Sequence, residues 1–304
     1  MPKVIIMMST YNGEKYLAEQ IESILNQTEK DFILKVHDDG STDGTLKIIK
    51  EYAQKDNRIY IDNSGHKGYP KCFFDLMKDA GEAKFYAFSD QDDVWLPDKI
   101  ETAIKKIGKG EEPTLYGCKK IIVDENLNEI GKDTEQQSGI IYAFLCKNEI
   151  FGCTMVFNKS LHDILIKYIP TRKDLYHDSW IYKIALIFGK TIIDKSAFIM
   201  YRQHANNTVG ATHKGIRLFF DKLKRFDFTF KRYKNGPYRN SYVKEILIGY
   251  GNIMPPNKKK ILETIYYAKY KFNCRYMLFN SRDLRNCPIY ERMGKKLLIL
   301  LGWI

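Results

Sequence analysis

Short apolar runs alternate with helical periodicity along residues 3–107, and that rhythm leaves few folds open. Lys3–Met8 reads as a strand, after which Gly13 opens a helix with Leu17, Ile21, Ile24 and Leu25 on one face. Phe32–His37 reads as the next strand, and Ser41 or Asp43 offers a cap for a helix over Thr45–Gln54. Arg58–Ile61, Phe73–Ala80 and Phe85–Ser89 continue as strand, helix and strand. Pro97 suits the first turn before a helix over Asp98–Ile107. Strands and helices in this order fold as α/β, a mostly parallel sheet with helices on both faces. Ligands of such sheets bind beyond the carboxyl ends of the strands.

Polar residues gather at those ends. Ser9-Thr10-Tyr11-Asn12-Gly13 follows the first strand, Asp38-Asp39-Gly40-Ser41-Thr42-Asp43 the second, and Asp90-Gln91-Asp92-Asp93 the strand ending at Ser89. Any one tip alone reads as a turn, because Asn, Asp, Gly and Ser favour turns. Three in register read as one crevice. Asp90, Asp92 and Asp93 repel one another unless solvent or a cation compensates. They suit either a solvated loop that caps the following helix, or a hard divalent cation held by one or two carboxylates, water and substrate phosphates. Phe85, Phe88, Val94 and Trp95 set the acids at the rim of a core, which favours the cation.

Further along, Leu115–Val123 and Cys153–Phe157 read as strands, Leu161–Tyr168 and Asp178–Phe188 as helices, and Thr191–Ile193 with Ala197–Arg202 as a closing strand pair. From Lys214 the pattern turns helical, with Ile216, Phe219, Phe220, Leu223 and Phe226 on one face. Charge shifts at the same place. Residues 1–213 carry 28 Lys and Arg against 31 Asp and Glu, a net −3, whereas residues 214–304 carry 21 against 6, a net +15. We therefore expect a mildly acidic α/β domain over 1–213 and a basic, aromatic-rich helical region over 214–304. No apolar run approaches the ~18 residues of a membrane span, and residues 1–8 lack a signal-peptide core. The six cysteines show no CxxC spacing and read as reduced thiols of a cytoplasmic protein.

Val4–Gly13, Asp38–Gly44 and Ser89–Trp95 together resemble the N-terminal half of family 2 glycosyltransferases, nucleotide-sugar enzymes with the GT-A fold. His177-Asp178-Ser179-Trp180, Tyr201-Arg202-Gln203-His204 and Asn206-Asn207-Thr208 resemble the rhamnosyltransferase-like branch, as does the intact string Ser-Asp-Gln-Asp-Asp-Val-Trp at Ser89–Trp95. The resemblance covers roughly residues 3–210 and leaves the basic region outside it. It implies that Thr10 and Tyr11 line the donor base and that Asp39 accepts from the imide N–H of uracil or thymine. Lys71, Asp90 and Gln91 join the donor side, with Asp90 at the ribose. Asp92 binds Mg²⁺ or Mn²⁺, and His204 completes the metal site. The acceptor side takes Asp93, Trp95, Gly152, Cys153, Thr154, His177 and Trp180. Asp178 is the expected base, since inverting transfer needs a carboxylate to take the acceptor hydroxyl proton. Without the resemblance, Asp178 reads first as an N-cap of the apolar helix behind it, and only second as a base.

The resemblance thus implies a dTDP- or UDP-linked sugar donor, in particular dTDP-L-rhamnose, and a polyprenyl-linked saccharide acceptor in cell-surface polysaccharide synthesis. The basic region has three readings: a solvated helical subdomain, an anionic-membrane binder or a nucleic-acid binder. Beside a glycosyltransferase the membrane fits best, which places the protein peripherally at the inner face of the plasma membrane, with no nucleic acid expected. Two rivals use the same residues differently. One is a metal-dependent phosphohydrolase or nuclease, which leaves Thr10, Tyr11 and Asp39 without a role. The other is a non-enzymatic basic binding module in which the acidic tips are only turns.

Overall fold

A computed structural model describes residues 1–62, 64–133, 139–145, 150–204, 238–285 and 289–302. The chain divides into two compact units, Met1–Glu135 with Ile150–His204, and Gln136–Glu149 with Ala205–Ile304. The helix expected from Lys214, with Ile216, Phe219, Phe220, Leu223 and Phe226, lies outside the described residues.

The first unit is a mixed α/β layer. Strands β1 (Val4–Thr10), β2 (Phe32–Asp38), β3 (Ile59–Asp62) and β4 (Phe85–Ser89) alternate with helices α1 (Leu17–Leu25), α2 (Thr45–Lys55) and α3 (Lys71–Lys78). These four strands are parallel in the order β3-β2-β1-β4, as the alternation requires. β1 is buried over nearly its whole length, on both faces, which is why Val4-Ile5-Ile6-Met7-Met8 is an unbroken apolar run. One face packs with Leu17, Ile21 and Ile24 of α1 into the main core. Each fully buried Ile or Leu there stabilises the unit by roughly 1.5–3 kcal/mol, so a charge at Ile21 would be among the costliest changes. On the other side α3 packs on β1, β2 and helix α7 (His177–Phe188).

Beyond β4 the sheet becomes mixed. β5 (Val94–Trp95), α4 (Lys99–Ile107), β6 (Thr114–Val123), β7 (Glu129–Lys132), β8 (Val156–Asn158), α6 (Lys159–Leu165), α7 and β9 (Lys190–Arg202) extend the order as β4-β8-β6-β9-β5, with β7 on β6. Only β6 and β9 pair in parallel in this half. Two expectations change here. Cys153–Phe157 is not one strand, because Gly152–Thr154 forms a 3₁₀ turn before β8. The expected closing strand pair is the single strand β9, running parallel to β6 with register shifts beside Lys119. Asp194-Lys195-Ser196 has the composition of a turn, but Asp194 accepts from Tyr116 Oη at 3.0 Å and from the Ser196 N–H at 3.0 Å, so the irregularity is absorbed within the strand.

The second unit is helical among its described residues: α5 (Ile140–Leu145), α8 (Tyr238–Tyr250), α9 (Pro256–Tyr267), α10 (Phe272–Phe279), α11 (Arg282–Arg285) and α12 (Ile289–Leu300). Pro256 occupies the first turn of α9, where a missing N–H costs nothing. The Ile141 N–H donates to Asp283 Oδ2 at 3.0 Å and ties α5 to α11. No described helix is long and apolar enough to cross a membrane. Cys72, Cys118, Cys153 and Cys274 are free thiols.

Candidate active site

Because β1, β2 and β4 are parallel neighbours, their carboxyl ends open on one edge of the sheet, with Thr10 opposite Asp38 and Met8 opposite Ser89. The three polar tips bond directly to one another there. The Gln91 side chain brackets the Tyr11 peptide: its Oε1 accepts from the Tyr11 N–H at 2.8 Å, and its Nε2 donates to the Tyr11 carbonyl at 3.0 Å. A Cβ at Gly13 would lie 2.4 Å from Gln91 Oε1, so this bracket requires glycine at that position. Thr10 Oγ1 donates to Asp38 Oδ1 at 3.0 Å, and the Thr42 N–H donates to Asn12 Oδ1 at 2.8 Å.

Asp39 is buried behind the second tip. Its carboxylate accepts from the backbone N–H groups of Lys67 and Gly68 and lies 3.3 Å from His37 Nε2. Burial pushes the carboxyl up, but the two N–H groups, His37 and His66 outweigh it and leave Asp39 below the usual carboxylate range. Asp39 thus anchors the 66–68 segment, a task the sequence did not suggest. Lys71 begins α3, and its ammonium pairs with Asp75 one turn along. Tyr11 is 54% exposed at the mouth.

The third tip holds two different arrangements. Asp92 and His204 meet at its partly exposed side, with Oδ2 and Nε2 2.8 Å apart, and the imidazole leans on the Tyr16 ring. On the inner side Asp90, Asp93 and Cys153 place ligand-type atoms within 4.8 Å of one another. Burial, then Asp92 and Asp178, pushes the Asp90 carboxyl up to about 7. Burial, then Asp90 and Asp92, drives Asp93 well above the carboxylate range, and burial does the same to the Cys153 thiol. A thiol is a soft ligand, so the inner trio offers a hard cation only its two carboxylates. The outer pair offers a carboxylate oxygen and an imidazole nitrogen already converged, a donor set that fits Mn²⁺ and accommodates Mg²⁺. A cation there would also relieve the repulsion that raises Asp90.

Asp178 is the second residue of α7, and the N-cap position belongs to Tyr176, so capping does not explain this carboxylate. Burial raises its carboxyl above the ordinary range, against the pull of the Ser179 and Gly152 N–H groups, Lys183 and Lys120. His177 is buried beside it, stacked on Phe73 with centroids 4.2 Å apart. Gly152 lies against it: a Cβ there would meet His177 Nε2 at 2.6 Å.

Several expected acceptor-side residues are instead part of the core. Trp95 is 2% exposed with Lys99 Nζ over its ring, Trp180 and Thr154 are fully buried, and Thr154 Oγ1 donates to the Phe151 carbonyl. Their apolar or internally satisfied surroundings leave no face for a saccharide. Cys153 is enclosed as well, and Asp93 acts internally, accepting from the Arg202 N–H at 3.3 Å.

Arg202 is the main residue that sequence reasoning left without a role. Its side chain is 2% exposed. Nε donates to the Asp92 carbonyl at 3.0 Å, the other nitrogens donate to the Glu125 carbonyl and the Glu19 carboxylate, and the guanidinium lies over the Tyr16 ring. It fastens the third tip to α1 and to the end of β6, two residues before His204. Its place within Tyr201-Arg202-Gln203-His204 was the available signal. Its partners are far away in sequence.

Three polar tips joined at the carboxyl edge of a parallel sheet, with clustered carboxylates and a carboxylate–imidazole pair, have the make-up of a catalytic centre that handles a charged ligand. The chain belongs to glycosyl transferase family 2, whose family model matches residues 5–169, and it is a glycosyltransferase. It is 32% identical over 215 residues to the dTDP-rhamnosyl transferase RfbG of Shigella flexneri, covering 67% of this chain and 74% of that protein. It is 34% identical over 160 residues to WfgD of Escherichia coli, a UDP-Glc:alpha-D-GlcNAc-diphosphoundecaprenol beta-1,3-glucosyltransferase, covering 52% of this chain and 61% of that one. Its fold matches that of the Pyrobaculum calidifontis mannosyltransferase PcManGT, solved with GDP-Man and Mn²⁺, at a TM-score of 0.51 and 15% identity over 99% of this chain and 86% of that one. Family membership sets aside the phosphohydrolase and binding-module readings.

Proposed function

We propose that this glycosyltransferase is inverting and metal-dependent, and that it moves L-rhamnose from dTDP-L-rhamnose onto a lipid-linked saccharide in cell-surface polysaccharide synthesis. The observation that carries the reading is the meeting of Asp92 and His204 at the tip next to Asp90, whose carboxyl also feels the charge of Asp178. Thr10, Tyr11 and Asp39 receive the pyrimidine base, and Asp90 and Gln91 stand next to the ribose. Asp92 and His204 hold Mg²⁺ or Mn²⁺, which when bound neutralises the charge that develops on the departing diphosphate. Asp178 accepts the proton of the acceptor hydroxyl as its oxygen forms the new bond to the anomeric carbon. The bond from that carbon to the diphosphate breaks on the opposite face, and dTDP departs. The partial burial that raises Asp178 suits a base, because a more basic carboxylate removes the proton more readily.

The similarity to RfbG supports the donor, and the similarity to WfgD, which acts on a diphosphoundecaprenol-linked sugar, supports a lipid diphosphate acceptor. The helical unit supports an address at an anionic membrane. At the corner between α9 and α10, Tyr270 and Phe272 are 65% and 73% exposed, and they alternate with the exposed Lys269 and Lys271. The test is transfer by the purified full chain with Mn²⁺, dTDP-L-rhamnose and undecaprenyl-diphosphate-linked N-acetylglucosamine. Release of dTDP with a lengthened saccharide is expected. Release from UDP-glucose but not from dTDP-L-rhamnose would overturn the donor, and undiminished transfer in chelator would overturn the metal.

A further inference from the structure

Two half-exposed tyrosines stand together on the Asp178 side of the crevice, and none of the roles above uses them. Tyr69 is 50% exposed and Tyr176 is 37% exposed, with ring centroids 5.7 Å apart and planes inclined by 43°. They come from different segments, the approach to α3 and the N-cap of α7. Tyr69 is held from behind. Tyr69 meets the buried Phe73 and His177 edge-on, at 6.2 and 6.1 Å, and those two rings stack on each other and on the edge of Phe88. The backbone before Tyr69 is fixed by the Gly68 N–H on Asp39, and the Cys72 N–H donates back to the Gly68 carbonyl at 3.2 Å. Tyr176 lies two residues before Asp178 on the same turn.

Two half-exposed aromatic rings close to a carboxylate in the chain match one ligand chemistry well. The C–H face of a pyranose ring packs on an aromatic face while its hydroxyls remain free for polar groups at the rim. Resting on the glycosyl-transfer reading of this crevice, we propose that Tyr69 and Tyr176 form a stacking platform for a pyranose ring next to Asp178. That ring is either the sugar of the donor or the terminal sugar of the acceptor. Tyr69 directly follows Gly68, which Asp39 anchors, and Tyr176 comes two residues before Asp178.

Two measurements on the full chain with Mn²⁺ separate the sources. Calorimetry compares dTDP with dTDP-L-rhamnose. Saturation-transfer NMR on the dTDP-loaded protein uses methyl β-D-glucopyranoside, methyl N-acetyl-α-D-glucosaminide and methyl α-L-rhamnopyranoside. Tyr69→Ala and Tyr176→Ala are each expected to weaken one arm by roughly three- to tenfold, the range of one aromatic contact. The phenylalanine variants should bind within about twofold of the parent, because the ring face is kept. Loss confined to dTDP-L-rhamnose assigns the platform to the donor, and loss confined to the pyranosides assigns it to the acceptor. Alanine variants with unchanged melting temperature that bind both probes like the parent would overturn the proposal, as would phenylalanine variants that lose as much as alanine. If the parent binds pyranosides but no dTDP-linked ligand, the donor reading fails while the platform is still decided by the pyranoside arm.

Discussion

His177→Phe should make the catalytic unit more resistant to acid, although it removes a polar residue from the site. The imidazole is 3% exposed, sandwiched among Phe73, Phe88 and Tyr69, and neither ring nitrogen has a hydrogen-bond partner among the described residues. Burial alone pushes its pKa down from 6.5 to about 3. An unfolded chain takes up this proton near pH 6.5, whereas the folded chain refuses it until about pH 3, so the unfolded state binds more protons throughout that window. Stability therefore falls as pH drops below 6.5. At about 1.4 kcal/mol per pKa unit the whole window is worth roughly 4–5 kcal/mol, and about 2 kcal/mol of it is lost between pH 7 and pH 5. Phenylalanine keeps the stack on Phe73 but is larger, and Gly152 leaves little room. Overpacking should cost about 1–3 kcal/mol, independently of pH. Urea unfolding followed by tryptophan fluorescence, to which Trp95 and Trp180 contribute, measures stability at both pH values. The parent should lose about 2 kcal/mol more than His177→Phe between them. Equal losses in the two proteins would refute the buried, neutral imidazole.

Asp178→Asn should lower transfer by roughly 10²–10⁴-fold while the donor Kd measured by calorimetry holds, as expected for a general base. In the parent, the acid limb of the rate profile should lie above the ordinary carboxylate range, because burial raises this carboxyl and only its ionised form accepts the proton. Asp92→Ala and His204→Ala should each weaken Mn²⁺ binding followed by electron paramagnetic resonance. Equal affinity in both variants and the parent would remove this pair from the metal site. Arg202→Gln should weaken Mn²⁺ by roughly 10–100-fold with the fold retained, and Arg202→Lys should recover part of the loss, since Arg202 positions the Asp92 backbone without touching the ion. Replacing Tyr270 and Phe272 by Ser should reduce flotation of the protein with vesicles of phosphatidylglycerol, without altering Mn²⁺ binding.

The parallel half of the sheet and the place of the crevice were legible in the residue pattern alone. Both follow from local rules: the strand runs end where polar residues begin, and parallel strands bring their carboxyl ends to one edge. The convergence of Thr10, Asp38 and Gln91 was legible for that reason. The mixed half was not. Antiparallel partners such as β4 and β8 are joined across long stretches of chain, and Asp194 carries the composition of a turn inside a strand.

Which charged and aromatic residues lie buried and which stay open depended on long-range packing. Trp95 and Trp180 belong to ordered motifs yet are buried, because a motif records proximity along the chain and not the direction of a side chain. Tyr69 and Tyr176 carry no motif and meet through a contact between segments more than a hundred residues apart. Arg202 reaches Glu19, Asp92 and Glu125 at once, and the pairing of Asp92 with His204 spans β9. The lopsided charge was plain from composition. That two aromatic rings and two lysines stand open together at the α9–α10 corner depended on how those helices pack, since burial of one face is what leaves the other to the solvent.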